Sequence, residues 1–551
     1  MSRSSARHVN FVSTLHAVAP DTVVPTGARQ TRDSARLTPM SFWFAALLVL
    51  LFALGSAPVR RTQEARVMET AREMLERQPA EGLRALLIPH CNGSIRLQKP
   101  PLAYWLSAAS FATLGVNEWA GRLSMMLAGW STLGLTMWLA ADWFGRRASM
   151  WTGAVLLGSF LFFRHSRLAE TDVLVTLFIT AAIFAILRGF DRRARSILWF
   201  QLSGLMIGLA IMAKGAPAVF PLIFLLALCA IESRWRDLRA WLFSGAPLIA
   251  IVVGAPWWVY VRTLPNWREV MADEATDLFE GKDHFRWFWD YGPMLLRATL
   301  PWCGFGIAAL VEAAVRRRYS RQARLLVWCG AILVPLCIIG QKQDHYLFPL
   351  MPPLAILTGE WIARQREESS IARPIFVITF VITVIATVSL PVVTRRMRAE
   401  VMTSDMVILG ALLVALTIIG VVWQRSDWRA ALVRYAMMIV LLLGPLLSIW
   451  WPSVARPSQS DIATRIRERA GAGPYCFYGD NFSLPLVFAM RTVIPIARDA
   501  AALQAMAGEN AHLVVIAQTK SDREPPSVPE GFEQVDEIRS DDQRFEVYRK
   551  R

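Results

Sequence analysis

Five short stretches of this chain carry polar residues of the kinds that do chemistry, and each borders a long apolar run. They contain carboxylates, cations, amides and histidines, and they are Gln63–Arg66, Gln98–Pro101, Arg164–Asp172, Lys214–Pro217 and Asp344–Pro349. Cations stabilise a phosphate leaving group, and a carboxylate removes a proton from an attacking acceptor. The combination predicts a reaction on an anionic lipid headgroup at one face of a membrane.

The apolar runs between these stretches predict a membrane protein. Hydrophobic residues make up 54% of the 551 residues and charged residues only 19%, whereas a soluble domain usually carries about 25% charged residues. A helix of about 20 apolar residues crosses the bilayer, and only helices or closed barrels satisfy their backbone there. We therefore predict an all-α polytopic protein with about thirteen spans, at residues 41–57, 119–141, 148–163, 172–188, 197–213, 215–231, 240–261, 293–315, 323–340, 346–363, 374–391, 406–424 and 432–451.

The distribution of charge predicts the topology. The formal net charge is +16, and most of the arginines cluster in short connections at alternate ends of successive spans, as the positive-inside rule requires. This pattern argues against nucleic-acid binding, because outside the membrane part no basic stripe is interleaved with aromatic residues. With an odd number of spans and a cytoplasmic N-terminus, all five polar stretches and the C-terminal segment fall on the extracytoplasmic side.

The chain divides into three parts by composition. Residues 1–40 are polar and rich in Ser, Thr and Arg, which predicts a disordered cytoplasmic segment. Residues 41–451 form the membrane domain, with long outer loops at 58–118 and 262–292. Residues 452–551 have a soluble character and predict a small extracytoplasmic α/β domain, with helices at Ile462–Arg469 and Ala500–Met506 and strands at Tyr475–Tyr478, Leu513–Ala517 and Phe545–Tyr548.

Metal and cofactor chemistry have no support in the sequence. The six cysteines form no C-x-x-C pair and show no metal spacing, and the C-terminal segment has no glycine-rich phosphate loop. We predict neither a bound metal nor a cofactor.

The polar stretches resemble the motifs of the membrane-embedded GT-C glycosyltransferases that use polyprenyl-phosphate sugars. The resemblance is strongest to the lipid A aminoarabinose transferase and protein O-mannosyltransferase group. QEARVMETAREML at 63–75 is similar to that group's DEARYAEIAREML, and QKPPLAYWL at 98–106 is similar to EKPPLLYWL. Asp172 opens a span like the group's second acid, Lys214-Gly215-Ala216-Pro217 resembles its Lys-Gly-Pro turn, and HYLFPLMP at 345–352 resembles HYLLPLYP.

This resemblance implies an inverting glycosyltransferase of the inner (plasma) membrane. Such an enzyme moves a sugar from a polyprenyl-phosphate donor to an extracytoplasmic lipid or glycan acceptor, such as lipid A or lipopolysaccharide. The implied catalytic carboxylates are Asp172 and Glu64. The implied substrate-binding residues are Arg66, Lys99, Lys214, His345 and Tyr346. Of these, Arg66, Lys99 and Lys214 would hold the donor phosphate.

Two departures from the group's pattern keep alternatives open. Gln63 stands at the position of the first family Asp, and Gln98 at that of a family Glu. Successive helical residues point about 100° apart, so we predict Asp172 as the main carboxylate and Glu64 as a partner that orients Arg66 or Lys99. The alternative functions are a transporter or flippase for a lipid-linked sugar and a catalytically silent lipid-sugar binder.

Each site residue also has a purely structural explanation. Glu64 and Arg66 suit intrahelical pairs on a solvated helix, and Asp172 suits a helix N-cap. Lys99 and Lys214 suit anchors at the lipid headgroups, and His345 suits an interfacial hydrogen-bonding residue.

Overall fold

A computed structural model describes residues 38–191, 195–265, 267–280, 286–315, 321–366, 369–398, 403–425, 427–450, 457–520, 530–540 and 543–551. The predicted disordered segment 1–40 lies outside the described residues, except for its last three. There the prediction is wrong, because the first helix begins at Pro39, where Thr38 accepts a hydrogen bond from the Ser41 backbone N–H. Residues 281–285 of the predicted outer loop 262–292 also lie outside the described part.

Helices form most of the described chain up to residue 450. They are α1 Pro39–Leu51, α2 Thr62–Glu81, α3 Leu83–Leu87, α4 Leu102–Leu114, α5 Glu118–Phe144, α6 Arg146–Leu157, α7 Phe160–His165, α8 Thr171–Asp191, α9 Ser196–Ala213, α10 Phe220–Ile231, α11 Trp235–Phe243, α12 Ala246–Gly254, α13 Pro256–Val261, α14 Trp267–Glu280, α15 Tyr291–Ala298, α16 Cys303–Val315, α17 Arg321–Ile338, α18 Met351–Arg364, α19 Ala372–Arg398, α20 Thr403–Arg425 and α21 Trp428–Pro445. Tighter 3-10 turns cover Ala216–Val219, Phe288–Asp290 and Asp344–Leu350, and a π-helical turn covers Leu446–Trp450.

Six helices in the described part are long and apolar enough to cross a membrane. They are α5, α8, α9, α17, the Ala372–Ser389 part of α19, and α21 with its π-helical turn. The pair α11 and α12, bent by 51°, makes a seventh if it is one span, and shorter apolar helices include α1, α4 and α16. The chain is therefore a helical membrane protein with several spans.

Four predicted spans are not continuous helices. The run 41–57 is helical only to Leu51, and the run 148–163 breaks between α6 and α7. The run 240–261 is divided among three helices and the run 293–315 between two. Pro256 explains one break, because it occupies the first turn of α13, where a missing N–H costs nothing.

A folded segment joins α1 to α5 within the predicted outer loop 58–118. The amphipathic helix α2 packs on the apolar helix α4. Between them, strands β1 (His90–Cys91) and β2 (Ser94–Ile95) pair antiparallel. Asn92 and Gly93 form the turn with φ of 53° and 75°, the conformation that a two-residue hairpin requires.

The C-terminal segment contains a five-stranded sheet. Its elements are α22 Gln459–Ala470, β3 Tyr475–Tyr478, α23 Leu484–Met490, β4 Ile496–Ala497, α24 Ala500–Glu509, β5 Val514–Lys520, β6 Phe532–Ser540 and β7 Gln543–Lys550. The strand order is β4-β3-β5-β7-β6. β3 runs parallel to β4 and β5, whereas β7 runs antiparallel to β5 and β6.

This segment packs on α2, and residues 38–551 form one compact unit. Met68 and Met74 of α2 share an apolar core with Phe488 of α23. The side chain of Asn92 joins the two parts, since it donates to the carbonyl of Ile494 and accepts from the Ile494 N–H, each at 2.8 Å. Movement of α2 is therefore tied to the C-terminal sheet.

Candidate functional site

A cavity of about 460 Å³ brings together most of the predicted site residues. Its walls are the first turn of α2, the segment before α4, the start of α8, the end of α9 and the 3-10 turn Asp344–Leu350. Six of the seven predicted residues line it, namely Arg66, Lys99, Asp172, Lys214, His345 and Tyr346. The volume falls within the usual range for small-molecule sites.

The hairpin of α8 and α9 positions the centre of the cavity. Asp172 is the second residue of α8, and Lys214 directly follows the last residue of α9. The two helices pack against each other, so the chain returns Lys214 to within reach of Asp172. The Lys214 Nζ lies 2.5 Å from the Asp172 Oδ1. Gly215, with φ of 83°, turns the chain immediately afterwards.

The carboxylate of Asp172 is almost fully buried and fixes its cationic neighbour. Its second oxygen, Oδ2, lies 3.9 Å from the His345 Nε2. The Lys214 ammonium also lies 4.9 Å from the centre of the Tyr346 ring, a cation–π contact. Because Thr171 begins α8, Asp172 lies inside the helix rather than at its N-cap, and the capping explanation for this residue is wrong.

His345 is uncharged near neutral pH. Burial lowers its pKa to about 4, and the opposing attraction of Asp172 does not compensate. The neutral ring therefore offers the cavity a hydrogen-bond donor or acceptor rather than a charge.

Glu170 lies in the same cavity, and sequence reasoning assigned it no role. Its Oε2 lies 2.7 Å from the His165 Nδ1 and its Oε1 2.5 Å from the Arg61 Nε. Burial alone raises the pKa of Glu170, but the charges of His165 and Arg61 outweigh burial and hold it below the usual range. The signal available in the sequence was the spacing Glu-Thr-Asp, which places two acids beside one span.

Glu64 does not line this cavity, and its predicted pairing with Arg66 or Lys99 is wrong. Its side chain is 1% exposed, and its Oε1 accepts from the Arg122 Nε at 2.8 Å. The same oxygen accepts from the Ala169 N–H at 3.3 Å. The reason is helical rotation, since one residue along α2 turns the side chain by about 100°. Arg66 instead donates to the Gln63 Oε1 at 3.4 Å.

The segment before α4 supplies further polar groups. Lys99 is half-buried, and the Gln98 Oε1 is buried without a hydrogen-bond partner among the described residues. The Arg96 Nε donates to the Tyr104 Oη at 3.3 Å. In total four cations and two carboxylates line the cavity: Arg66, Arg96, Lys99 and Lys214, with Glu170 and Asp172. The excess of cations suits a bound anion.

No group of three or more His, Cys, Asp or Glu side chains suited to a metal ion occurs in the described parts of the chain.

Comparisons with known proteins agree with the sequence motifs. Residues 98–260 match the family model for dolichyl-phosphate-mannose-protein mannosyltransferase. The undecaprenyl phosphate-alpha-4-amino-4-deoxy-L-arabinose arabinosyl transferase of Pectobacterium carotovorum subsp. carotovorum (strain PC1) is 30% identical over 327 residues, which cover 57% of each chain. The protein of the same name from Pseudomonas aeruginosa (strain UCBPP-PA14) is 32% identical over 298 residues, covering 52% of this chain and 53% of the relative. The match thus spans little more than half the length of these relatives.

The similarity of fold extends further than the similarity of sequence. The crystal structure of ArnT from Cupriavidus metallidurans bound to undecaprenyl phosphate superposes with a TM-score of 0.72 at 20% identity, and the match covers 92% of this chain and 97% of that one. The apo form gives a TM-score of 0.69. The chain therefore has the fold of ArnT, and it resembles the aminoarabinose transferase and protein O-mannosyltransferase group, as its polar stretches predict.

Proposed function

We propose that this protein is a glycosyltransferase that moves a sugar from a polyprenyl-phosphate donor to an extracytoplasmic lipid or glycan, such as lipid A or lipopolysaccharide. One observation carries the proposal. Six residues chosen from the sequence for phosphate and sugar chemistry, from segments up to 280 residues apart, converge on a single polar cavity at the ends of membrane helices. The names of the relatives and the undecaprenyl phosphate in the ArnT crystal support a donor of this class.

In this proposal, Arg66, Lys99 and Lys214 hold the donor phosphate. The acceptor oxygen attacks the anomeric carbon from the face opposite the phosphate, which inverts the configuration. The bond between that carbon and the phosphate oxygen breaks, and its electron pair leaves with polyprenyl phosphate. Preorganised cations stabilise the charge that develops on this leaving group.

The carboxylates have different roles. Asp172 fixes the Lys214 ammonium and is placed to receive the proton of an acceptor hydroxyl. Glu170, rather than the predicted Glu64, is the second carboxylate of the site, because Glu170 lines the cavity. His345 and Tyr346 contact the sugar beside this pair, and the Gln98 amide oxygen accepts a hydrogen bond from a sugar hydroxyl.

We further propose the topology and the domain arrangement. About thirteen spans place residues 1–40 in the cytoplasm and residues 452–551 outside it, as a separate α/β domain. The protein is then a multi-pass protein of the inner (plasma) membrane with its site on the extracytoplasmic face. The positions of Asp172 and Lys214, at the adjoining ends of α8 and α9, support one shared face for the site.

Two rival functions make different predictions. A transporter or flippase of lipid-linked sugars needs charged residues at mid-membrane, whereas the charges of this cavity lie at helix ends. A silent binder gains support from Gln63, because an amide cannot act as a base.

Turnover by the purified protein in nanodiscs tests all three functions. The probe is undecaprenyl phosphate with a radiolabelled sugar, supplied with lipid A. We expect label on the acceptor and free undecaprenyl phosphate in equal amounts. Donor binding without transfer would instead identify a silent binder, and movement of intact donor across the membrane of proteoliposomes would identify a flippase.

A further inference from the structure

A second cavity, of about 380 Å³, is lined by six arginines and two carboxylates. We call it the arginine cavity, and its charged residues are Arg60, Arg61, Arg122, Arg164, Arg167 and Arg297, with Glu64 and Asp344. Glu64 pairs with Arg122, and Asp344 accepts two bonds from Arg297 at 2.5 and 2.6 Å. Arg61 pairs with Glu170, a residue of the first cavity, and Arg164 and Arg167 still leave an excess of positive charge on the walls.

Two of the arginines point to a missing anion. The Arg164 side chain forms no ion pair or hydrogen bond with the described residues, and its guanidinium carbon lies 5.9 Å from the centre of the Phe160 ring. Arg167 is 7% exposed. Its Nη2 donates to the Phe52 carbonyl and the Ser448 hydroxyl, at 2.6 and 2.7 Å. Its Nη1 is buried without a partner among the described residues.

Leaving a buried charged donor unsatisfied is costly, and native structures rarely do so without reason. Burial and the nearby charge of Arg122 lower the pKa of Arg167 to about 10, so the guanidinium is still charged at pH 7. An oxyanion between Arg164 and Arg167 would satisfy the free donor and neutralise the excess charge. Guanidinium groups bind phosphate with paired, parallel hydrogen bonds.

The surroundings indicate that this anion is carried on a lipid. The arginine cavity is bordered by apolar residues at the ends of membrane helices, including Leu54 just after α1 and Leu447 just after α21. A mostly apolar cavity of about 420 Å³ is lined mainly by α15, α16 and α18. Consecutive residues line the two spaces, because Phe160 faces the arginine cavity and Ser159 the apolar one.

The arginine cavity is separate from the site described above. Arg61 lines the arginine cavity, whereas the next residue, Thr62, lines the first cavity. In the same way Asp344 lines the arginine cavity and His345 the first cavity. The ion pair of Arg61 with Glu170 crosses the wall between the two spaces.

We propose that the arginine cavity binds a phosphate monoester carried on a lipid, with Arg164 and Arg167 as its principal ligands and the hydrocarbon chain in the mostly apolar cavity. The binding site is inferred from these contacts alone. That its ligand is the acceptor of the transfer reaction rests on the proposed function.

The test measures lipid binding to the purified full chain by native mass spectrometry. The probes are dioleoyl phosphatidic acid, which carries a phosphate monoester, dioleoyl phosphatidylcholine, which does not, and inorganic phosphate as a competitor. The first variant is Arg164→Gln, which breaks no ion pair or side-chain hydrogen bond with the described residues. The second is Arg167→Lys, which keeps the positive charge but loses the paired N–H donors of the guanidinium group. The matched control is Arg434→Gln, an exposed arginine that donates only to its own helix at Ala430.

We expect phosphatidic acid to bind at least about tenfold more tightly than phosphatidylcholine, and each cavity variant to lose about tenfold of that affinity, the effect of one charged hydrogen bond. Arg434→Gln should match the native protein. Millimolar inorganic phosphate that displaces the lipid completely would identify free phosphate as the ligand and overturn the lipid assignment. Equal affinities in all variants would overturn the site.

The same experiment separates this inference from the proposed function. Lys99→Ala should weaken undecaprenyl phosphate binding far more than phosphatidic acid binding, and the arginine variants should show the opposite order. The arginine variants could bind phosphatidic acid more weakly while neither they nor the native protein transfers sugar. That result would support the binding site and show that the proposed function is wrong. If Lys99→Ala loses both lipids equally, the two cavities are not separate sites.

Discussion

At the scale of single residues, the cations of the first cavity are expected to act on the leaving phosphate. Replacing Lys99 by alanine should lower turnover at least about 100-fold, because loss of one preorganised charge contact has that effect. Arginine at this position should restore little activity, since a planar fork does not replace a compact ammonium group. The measurement is transfer from radiolabelled donor.

Lys520→Ala provides the control for that substitution. Lys520 is exposed at the end of β5, far along the chain from the cavity residues. The turnover of the Lys520→Ala variant should equal that of the native protein. Full activity of Lys99→Ala would remove Lys99 from the site.

The two originally chosen carboxylates should differ in the kind of damage that their loss causes. Asp172→Asn removes the charge that holds Lys214, so transfer should stop, and because Lys214 lines the cavity the loss of stability should be smaller than for Glu64→Gln. Glu64→Gln leaves Arg122 buried without a full counter-charge, which costs about 3–5 kcal/mol. It should therefore lower the melting temperature and leave measurable transfer. Transfer rates and melting curves of both variants decide the matter.

An Asp172→Asn variant that retained much of its rate would contradict the assigned role, and it would indicate an acceptor that arrives already ionised. Gln63→Asp is the companion variant. Raised turnover would show that Gln63 weakens an active enzyme.

At the scale of elements, α2 has two functions. Its first turn supplies Gln63 and Arg66 to the cavity, and its later turns bury Glu69, Arg72 and Glu73 against the hairpin and the C-terminal segment. Glu73 accepts hydrogen bonds from the Asn92 and Gly93 backbone N–H groups. The junction and the site residues Gln63 and Arg66 therefore belong to one continuous helix.

The junction should be sensitive to pH. Burial, with the charge of Glu69 adding to it, raises the pKa of Glu73 from 4.5 to about 7. Between pH 4.5 and about 7, Glu73 keeps its proton in the folded protein but has lost it in the unfolded chain. The free energy of unfolding therefore falls as the pH rises through this range, and Glu73 changes it no further at higher pH. The melting temperature of the native protein should decrease from pH 5 to pH 7.5.

Glu73→Gln should show a smaller decrease over the same range, because the amide does not titrate. Glu509→Gln, at an exposed site on α24, should keep the native slope. The same slope in all three proteins would show that Glu73 does not control this transition.

Most elements could be predicted from the sequence, because long apolar runs and short alternating ones each have a characteristic period. The strand Tyr475–Tyr478 agrees with the prediction at both ends, and α9 at its last residue. β6 was not predicted, since four of the nine residues in FEQVDEIRS are charged and its apolar residues recur at every third position rather than every second. The breaks within four apolar runs depend on how helices pack, which hydropathy does not measure.

The site was partly predictable for a similar reason. Residues in recognisable stretches could be chosen, but not the direction in which each side chain points. Glu64 turned toward Arg122 because α5 supplies a buried partner, and no local pattern predicts a contact across 58 residues. The arginine cavity was not predicted, because its charged residues come from five distant segments.

At the scale of the whole molecule, the proposed topology can be tested by labelling single cysteines in intact cells. The sites are exposed residues at the two faces: Arg195 before α9, Ser94 in β2 and Glu509 in α24. A membrane-impermeant maleimide should label Ser94→Cys and Glu509→Cys in intact cells, and Arg195→Cys only after lysis.

The native protein is the control for background, since its described cysteines are buried or half-buried. Equal labelling of Arg195→Cys and Glu509→Cys in intact cells would contradict the proposed arrangement.

The ion pair of Arg61 with Glu170 gives the molecule a property that neither cavity has alone. Each partner of the pair faces a different ligand space, so an anion that draws Arg61 toward itself changes the charge that Glu170 presents on the other side. The two occupancies are then thermodynamically linked, and the linkage is reciprocal: each ligand alters the affinity of the other by the same factor. Binding of a ligand in one cavity would therefore depend on whether the other cavity is occupied, through this one ion pair.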